Sequence, residues 1–268
     1  MVKKVWEGYM PPFRIFGNLY FVGTGPASAH LIDTGEGLIL LDTAYIESLY
    51  LVMDGIRQLG FDPYDIKLIL HSHGHIDHIG GTRALVELTG AKTAIGRYDE
   101  DYVTGKRDLT FAKEMNMYFD GFFTPDRLLD DGDVIEMGNT RITCMHTPGH
   151  TEGTMSFFFD VTDENGRTMR VGNHGGAGMN SMGRAFLEAH DLPLSLRDDF
   201  RAGLHRLRKE HVDIFVGNHQ HQCHTKERYA RIMAGETDAF VDPEAWQIYL
   251  DETEAQLDQL LRSEDAQQ

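Results

Sequence analysis

Cysteine is scarce in this chain of 268 residues, which contains only Cys144 and Cys223. Two cysteines so far apart in the sequence exclude a disulfide framework, and we expect free thiols in a reducing compartment. The first residues, MVKKVWEGYMPPF, contain lysines but lack the apolar stretch of a secretory signal. Both observations predict a cytoplasmic protein.

Long apolar runs and positive charge are lacking as well. Hydrophobic residues make up 41% of the chain, but no run approaches the roughly 20 residues that a membrane helix needs. The 25 basic residues are outnumbered by 42 acidic ones, and the net charge of -17 repels phosphate backbones. We therefore expect no membrane span and no nucleic-acid partner, and we interpret the acidic excess as favouring solubility.

No linker, low-complexity tract or repeat divides the sequence, so we predict one domain over residues 1–262 and a disordered tail over residues 263–268. Apolar or alternating runs predict an early strand meander, and residues 66–70 are typical of a strand that is buried on both faces. Helical periodicity starts at residue 45 and ends near Gly60. Strands and helices mix along the rest of the chain, which indicates the α/β class. The remaining predicted strands are 92–95, 134–136, 141–145, 156–159, 168–171 and 213–216, and the remaining predicted helices are 81–89, 196–207, 226–233 and 243–261.

The segment HSHGHIDH, residues 71–78, places five side chains that can bind a metal directly after the strand at residues 66–70. Imidazole nitrogens and carboxylate oxygens are ligands that zinc and related ions prefer. One residue separates His73 from His75, which aims both side chains the same way in an extended backbone. Asp77 and His78 are adjacent and diverge, which suits a second ion beside the first. The alternative interpretation is a solvated polar loop.

Two later segments offer further imidazoles. HTPGHTEGT, residues 146–154, contains His146 and His150, and VGNHQHQCHT, residues 216–225, contains His219, His221, Cys223 and His224. Three protein ligands per ion plus a position for water is the pattern of a catalytic zinc site. The three segments together predict a catalytic metal site, with a separate site at Cys223 as a weaker alternative.

In the order and spacing of these motifs, residues 16–225 resemble the metallo-β-lactamase superfamily. In that family a His-x-His-x-Asp-His loop, a later Gly-His-Thr and a final His at the end of a strand surround one or two metal ions. The resemblance implies an α/β fold of the αβ/βα four-layer sandwich type. It also implies two zinc ions, with iron or manganese as alternatives. The implied ligands are His73, His75 and His150 for one ion, and Asp77, His78 and His219 for the other.

The resemblance assigns other side chains to the surroundings of the site. Asp42, in LLDTA, matches the family's acidic residue beneath the metal loop, and we expect it to orient a ligand imidazole. The alternative for Asp42 is a plain turn residue at a strand end. His71 and His146 are expected to pack or bond locally, because their family counterparts are not ligands. His221 and His224 are expected near the pocket without binding metal.

One departure from many relatives is a missing acidic residue. Hydroxyacylglutathione hydrolases and lactonases carry a bridging Asp after the strand that here reads MRVGNHGGAGMN, which offers Asn173 and His174 instead. This pattern is similar to the third (B3-like) subclass of metallo-β-lactamases, and we expect His174 to line the pocket, with metal binding as the alternative. The serines that help to hold a β-lactam carboxylate in that subclass have no clear match here. Asn180, Ser181 and Arg184 are the remaining candidates for that task.

Residues 102–123 are denser in methionine and aromatic residues than their surroundings. Three interpretations stay open. The segment forms a roof over a pocket for an apolar substrate, it packs in the core, or it forms the surface of a homo-oligomer.

The resemblance implies a binuclear zinc hydrolase that attacks the carbonyl of a small-molecule lactam, lactone, amide or ester with a hydroxide bound to the metal ions. Asp77 is the predicted catalytic residue, which binds metal and orients that hydroxide. One alternative is a glyoxalase-type thioesterase, which the missing bridging Asp disfavours. The other is a metal-holding binding or sensor protein without turnover. A nuclease of the same superfamily is disfavoured by the net charge, and a flavodiiron oxygen reductase by His75.

Overall fold

Two β-sheets pack face to face in the computed structural model, which describes residues 4–266. The first sheet has seven strands in the order β1 to β7, antiparallel from β1 to β4 and parallel from β4 to β7. Its strands are β1 Phe13–Phe16, β2 Leu19–Phe21, β3 His30–Asp33, β4 Leu38–Leu41, β5 Ile66–Leu70, β6 Lys92–Gly96 and β7 Arg127–Leu129. The second sheet has the order β12, β11, β10, β9, β8, with β11 and β12 parallel and the other pairs antiparallel. Its strands are β8 Val134–Met137, β9 Thr140–His146, β10 Met155–Thr162, β11 Thr168–Asn173 and β12 Ile214–Val216.

Eight α-helices occur in the described part of the chain, together with short 3-10 turns. The helices are α1 Leu49–Gln58, α2 Ile76–Ile79, α3 Thr82–Thr89, α4 Glu100–Val103, α5 Arg184–Ala189, α6 Leu196–Leu207, α7 Thr225–Met233 and α8 Pro243–Asp265.

Strand β4 shows why the sheets lie between helices. Successive side chains of a strand point to opposite faces, and in the run LILL both faces are apolar. Leu40 packs in a core cluster with Val52 of α1, whereas Ile39 packs in a second cluster with Phe157 of the other sheet. That second cluster also includes side chains of α6 and α8. The layers are therefore helix, sheet, sheet and helix, which confirms the predicted four-layer α/β sandwich.

The loops that carry the predicted metal ligands leave the ends of strands that lie side by side. Asp42 follows β4 and His71 follows β5, and these parallel strands end at the same edge of the first sheet. Residues 147–154 connect β9 to β10, residue 174 follows β11, and residues 217–224 follow β12. Carboxyl ends of strands are the usual place for functional residues in α/β folds.

Different residues of the segment 102–123 fit different ones of its three interpretations. Tyr102 and Phe123 pack in a cluster with Ile79 of α2, so part of this segment belongs to the core. Phe111 and Met115 line a cavity at the predicted site. The homo-oligomer surface stays a prediction.

Helix α8 extends beyond the predicted domain boundary at residue 262. Ser263, Glu264 and Asp265, which the sequence assigned to a disordered tail, are helical, and the boundary is corrected accordingly. An ion pair that the sequence pattern does not show stabilises this end of α8, with Arg197 Nη2 2.8 Å from Glu264 Oε2. Gln267 and Gln268 lie outside the described residues.

Within residues 4–266, none of the helices combines the length and the apolar character that crossing a bilayer requires. The cytoplasmic location stays a prediction.

Candidate metal centre

Three imidazoles form the first cluster of the site. His73 and His75 lie in the turn between β5 and α2, and His150 lies in the loop after β9. Their ring centroids are 4.5 to 4.8 Å apart, and one nitrogen from each lies within 4.8 Å of the others. All three residues are buried, with exposures of 1%, 4% and 6%. Three buried imidazoles that converge in this way can hold one metal ion.

A second cluster adjoins the first through His73. The single turn of α2 places Asp77 and His78 so that one ligand atom from each lies within 4.8 Å of a His73 nitrogen. His219, in the loop after β12, reaches the same carboxylate, with its Nε2 3.6 Å from Asp77 Oδ2. The structure therefore brings together all six side chains to which the resemblance gave a ligand role.

Four of these imidazoles are fixed from behind by an oxygen atom. A carbonyl or carboxylate oxygen only accepts, so each Nδ1 donates a hydrogen bond and Nε2 remains for the centre. Partners of this kind orient metal-binding imidazoles in proteins. The pairs are His73 with Gly175 O at 2.7 Å, His78 with Asp42 Oδ2 at 2.9 Å, His150 with Gly178 O at 2.8 Å and His219 with Pro26 O at 2.7 Å.

The remaining nitrogens fit a metal ion. Nε2 of His73 is buried and has no hydrogen-bond partner among the described residues, and Nε2 of His78 is buried with the Asp77 carboxylate 3.3 Å away. An unpaired buried polar atom costs about 1–3 kcal/mol, and a coordinated cation would remove that cost. Imidazole nitrogens with one carboxylate are also the donor set that zinc, iron and manganese accept. The residues of the site therefore suit one or two such ions.

The charges at the centre are set by burial and by the two aspartates. Burial lowers the pKa of His73 and of His75 well below the ordinary value and that of His150 to about 4, so these imidazoles are neutral, as ligands must be. Burial alone would raise the pKa of Asp77, but the neighbouring His78 and the other imidazoles hold it below its usual range. Burial also lowers the pKa of His78, yet Asp77 and Asp42 raise it to about 10 in the metal-free protein.

Asp42 lies beneath the metal loop. Its backbone has a φ of +61°, the left-handed region that few residues other than glycine adopt, which turns the chain sharply at the end of β4. Its Oδ1 accepts a hydrogen bond from Ser72 N at 2.9 Å, and its Oδ2 accepts bonds from His78 Nδ1 and from Ser72 Oγ at 2.6 Å. Burial would raise the pKa of this carboxyl, but His78, His71 and Ser72 hold it below its ordinary value. Asp42 is thus an ionised acceptor for the imidazole of His78.

Two neighbours of Asp42, Ser72 and Asn218, were not predicted from the sequence. Asn218 donates from Nδ2 to Ser72 Oγ at 2.8 Å and to Asp42 Oδ2 at 3.2 Å, so it joins the loop after β12 to the loop after β5. Asn218 and Ser72 each stand next to a predicted ligand, but a single Asn or Ser beside a His carries no pattern of its own. Only the contact between distant loops reveals them.

The loop after β11, where many relatives carry a bridging Asp, is rich in glycine and packs against the site. Asn173 donates to Val216 O at 2.9 Å and so ties β11 to β12. A Cβ atom at Gly176 would lie 2.6 Å from Cδ2 of His150, so only glycine lets this loop lie against the imidazole. The same loop supplies the carbonyl of Gly178 to His150.

His174 lies outside both groups of ligand atoms. It is 1% exposed, and its Nδ1 is 3.2 Å from the hydroxyl of Tyr249. The prediction that His174 lines the pocket is wrong: Tyr249 lines the cavity, and His174 does not. The histidine supports that tyrosine from behind.

Four further histidines lie near the ligand loops without a predicted ligand role. His221 lines the cavity, with its ring stacked 5.8 Å from that of His219. His224 is exposed at the residue before α7 and is not among the residues that line the cavity. His71 bonds Thr82 Oγ1 through Nε2 at 3.1 Å, and His146 bonds the carbonyl of Glu152, so both make the local contacts expected of them.

Cys223 does not form a separate metal site with its neighbours. Its thiol is buried, accepts a hydrogen bond from Gly217 N at 3.3 Å and lies 3.2 Å from Thr225 Oγ1. Burial raises the pKa of this thiol, which disfavours the thiolate that a metal would need. Among the described residues, Cys223 belongs to neither group of ligand atoms.

Asp99 is a buried carboxylate that the sequence analysis missed. It follows β6, beside β5, and accepts three hydrogen bonds: from Gly74 N at 2.8 Å, from Thr151 Oγ1 at 2.7 Å and from Gly153 N at 2.7 Å. Gly74 separates two predicted ligands and Thr151 follows a third, so Asp99 joins both ligand loops. Burial raises the pKa of Asp99 to about 7, although the three donors oppose the shift. The one available signal was its place at the carboxyl end of a parallel strand.

We predict that Asp99→Asn loosens the metal centre. The amide keeps one of two acceptor oxygens and turns an NH2 group toward a backbone N–H, so at least one buried donor loses its partner, at a cost of about 1–3 kcal/mol. Zinc affinity is expected to fall about 10-fold or more, because outer partners position the ligands. Denaturant melts and competitive zinc titration measure both effects. Asp101→Asn, at an exposed aspartate on α4 that pairs with Lys106, is the matched control, and equal zinc affinity in the two variants would contradict the assignment.

A cavity of about 390 Å³ opens above the two clusters. Its floor includes Asp77 and three of the predicted ligand imidazoles, and its apolar wall consists of Tyr45, Phe111 and Met115. Helix α8 supplies another wall. The residues of α8 that line the cavity are Tyr249, Glu252, Thr253 and Gln256.

The fold and this centre agree with what comparisons with known proteins show. The family model described as "Metallo-beta-lactamase superfamily" matches residues 22–163, more than half of the chain. Native FEZ-1 metallo-beta-lactamase from Legionella gormanii is 30% identical and superposes with a TM-score of 0.88, covering 96% of this chain and 98% of that chain. BJP-1, a subclass B3 metallo-beta-lactamase of Bradyrhizobium japonicum, is 29% identical, with a TM-score of 0.89 and 99% of each chain covered. The chain belongs to the metallo-β-lactamase superfamily.

Curated relatives match over shorter stretches. A hydroxyacylglutathione hydrolase of Maricaulis maris is 32% identical over 94 residues, which are 35% of this chain and 29% of that protein. The chain thus spans about a third of the length of the first curated relatives it matches. The predicted family and its likeness to the B3 subclass are confirmed by these comparisons, while the role of each ligand stays a prediction.

Proposed function

We propose that this protein is a hydrolase that uses two zinc ions to cleave a small-molecule substrate at a carbonyl group, in a lactam, lactone, amide or ester. The observation that carries the proposal is the convergence of six donor side chains on two adjoining positions beneath a cavity. When bound, such ions lower the pKa of water toward neutrality and stabilise the negative charge that develops on the carbonyl oxygen.

The chain's own residues hold and orient the reacting groups. Asp77 lines the cavity floor and is ionised, so it accepts a hydrogen bond from the attacking water and orients it. Asp42 keeps His78 in place, and the carbonyl of Gly178 does the same for His150. The apolar wall of the cavity excludes water from one side of the substrate. No side chain of the protein needs to act as a nucleophile in this scheme.

The experiment is metal analysis of the purified protein combined with chromogenic lactam, lactone, ester and thioester substrates. We expect about two zinc ions per chain and turnover of at least one oxygen ester, lactone or lactam. Treatment with a chelator should abolish that turnover, and added zinc should restore it, because a catalytic site binds metal reversibly through its accessible cavity. Turnover that persists in metal-free protein would reject the mechanism.

The same panel separates the two alternatives. Bound zinc without turnover of any substrate would favour a metal-holding binding or sensor protein. A preference for the thioester would favour a glyoxalase-type enzyme, which the loop after β11 disfavours, because glycines and Asn173 stand where that group carries a bridging carboxylate.

A further inference from the structure

The charges that line the cavity are all of one sign. Apart from its imidazoles, the charged side chains among the lining residues are Asp77 and Glu252, and no lysine or arginine of the described chain lines it. Asp77 faces the ligand imidazoles, within 3.3 Å of His78 Nε2 and 3.6 Å of His219 Nε2. Glu252 is therefore the charge that remains for the non-reacting part of a substrate.

Glu252 is free to meet a substrate. Tyr249, Glu252, Thr253 and Gln256 follow the spacing of one helix face, and that face of α8 lines the cavity. On other faces of α8, acidic side chains pair with arginines. The pairs are Asp251 and Glu254 with Arg208, Asp258 with Arg201, and Glu264 with Arg197. Within residues 4–266, Glu252 lies within ion-pair distance of no lysine, arginine or histidine.

The three candidates for holding a substrate carboxylate are Asn180, Ser181 and Arg184. Ser181 is buried and donates from Oγ to the carbonyl of His150 at 2.6 Å. Arg184 does not line the cavity, and its Nη1 lies 3.6 Å from Glu188 on the same helix. Asn180 lines the cavity but carries no charge. Of the three candidates for holding a carboxylate, none supplies a cation to the cavity.

We propose that the cavity selects substrates whose non-reacting end is cationic, such as an ester, lactone or amide that carries an ammonium group, and that Glu252 recognises this end. The proposal rests on the proposed hydrolase function for the reacting end only. A carboxylate at the same place would meet Glu252 without a compensating cation, and like charges placed together exclude such ligands. The net charge of -17 acts in the same direction, because it draws cations toward the protein and repels anions.

The test measures binding without turnover. Alkanethiols of one chain length that end in an ammonium, a methyl or a carboxylate group share a sulfur that binds zinc, so their affinities differ through the distal end. Calorimetric titration of zinc-loaded protein should show the ammonium thiol binding about 10-fold more tightly than the carboxylate thiol. Glu252→Gln should remove the preference, and Glu252→Lys should reverse it. Glu244→Gln, in the first turn of α8 and outside the cavity, should leave it unchanged.

Each result decides the question. Tighter binding of the carboxylate thiol by the unaltered protein, an equal preference in Glu252→Lys, or no thiol binding at all would overturn the proposal. Chromogenic esters with the same three ends then test turnover. If the thiols follow Glu252 but no ester is hydrolysed, the proposed hydrolase function fails while the cation preference stands. If esters are hydrolysed without regard to the charge of their distal end, the hydrolase function stands and the cation preference fails.

Discussion

Replacement of His73 by alanine is expected to remove bound metal and hydrolysis together. His73 is the one side chain whose nitrogen belongs to both groups of ligand atoms, and its Nε2 is a buried atom without a partner among the described residues. Without this imidazole, the first position keeps only His75 and His150, fewer than the three donors that a catalytic zinc ion needs, and the second position loses a neighbouring nitrogen. We expect zinc content to fall to about half of that of the unaltered protein or lower, and kcat/KM to fall by about 10³-fold or more.

Metal analysis after gel filtration and kinetics at saturating zinc measure these two losses. His211→Ala, at an exposed histidine that pairs with Asp213, is the control for the loss of an imidazole as such. Circular dichroism shows whether the His73 variant is folded. A folded His73→Ala variant that keeps its full zinc content would remove His73 from the centre.

The second large effect is expected for Asp77→Asn, which preserves shape but removes charge. The carboxylate lies between His78 and His219 and is ionised, because these imidazoles outweigh the effect of burial on its pKa. An amide is a weaker ligand and a much weaker acceptor for the attacking water, so kcat should fall by about 10²–10⁴-fold. The fold should remain, since the amide retains the volume of the side chain.

Stopped-assay kinetics with excess zinc separate the loss of orientation from the loss of metal. Asp120→Asn, at an exposed aspartate, should have the rate of the unaltered protein. A rate for Asp77→Asn within about twofold of the unaltered rate would remove Asp77 from its assigned role.

The sequence predicted the centre of the fold better than its edges. Residues 66–70 are apolar except for Lys67, and β5 has these bounds, because a strand that buries most of its side chains is specified by those side chains. By contrast, β1 (Phe13–Phe16) and β7 (Arg127–Leu129) were missed. Both are short and lie at the edges of the sheet, where pairing with a neighbour decides the structure more than the local pattern does.

The same distinction applies to the site. The segment HSHGHIDH is dense enough in donors to be recognised alone, and the structure brings its side chains together with His150 and His219. Asp99, Ser72 and Asn218 act across loops that are far apart in the sequence. Their partners are known only once the strands have been ordered, so no local pattern predicts them. The ion pair that stabilises the end of α8 is of the same kind.

Helix α8 lines the cavity with one face and holds no predicted ligand, whereas the predicted ligands lie in loops at strand ends and on the single turn of α2. Under the proposed function, the part of substrate selection that α8 supplies is therefore separate in the chain from the reacting centre. Substitution of the exposed cavity-lining residues Glu252 and Gln256 leaves the predicted ligands unchanged, and this makes that face of α8 a suitable place to diversify the protein by directed evolution.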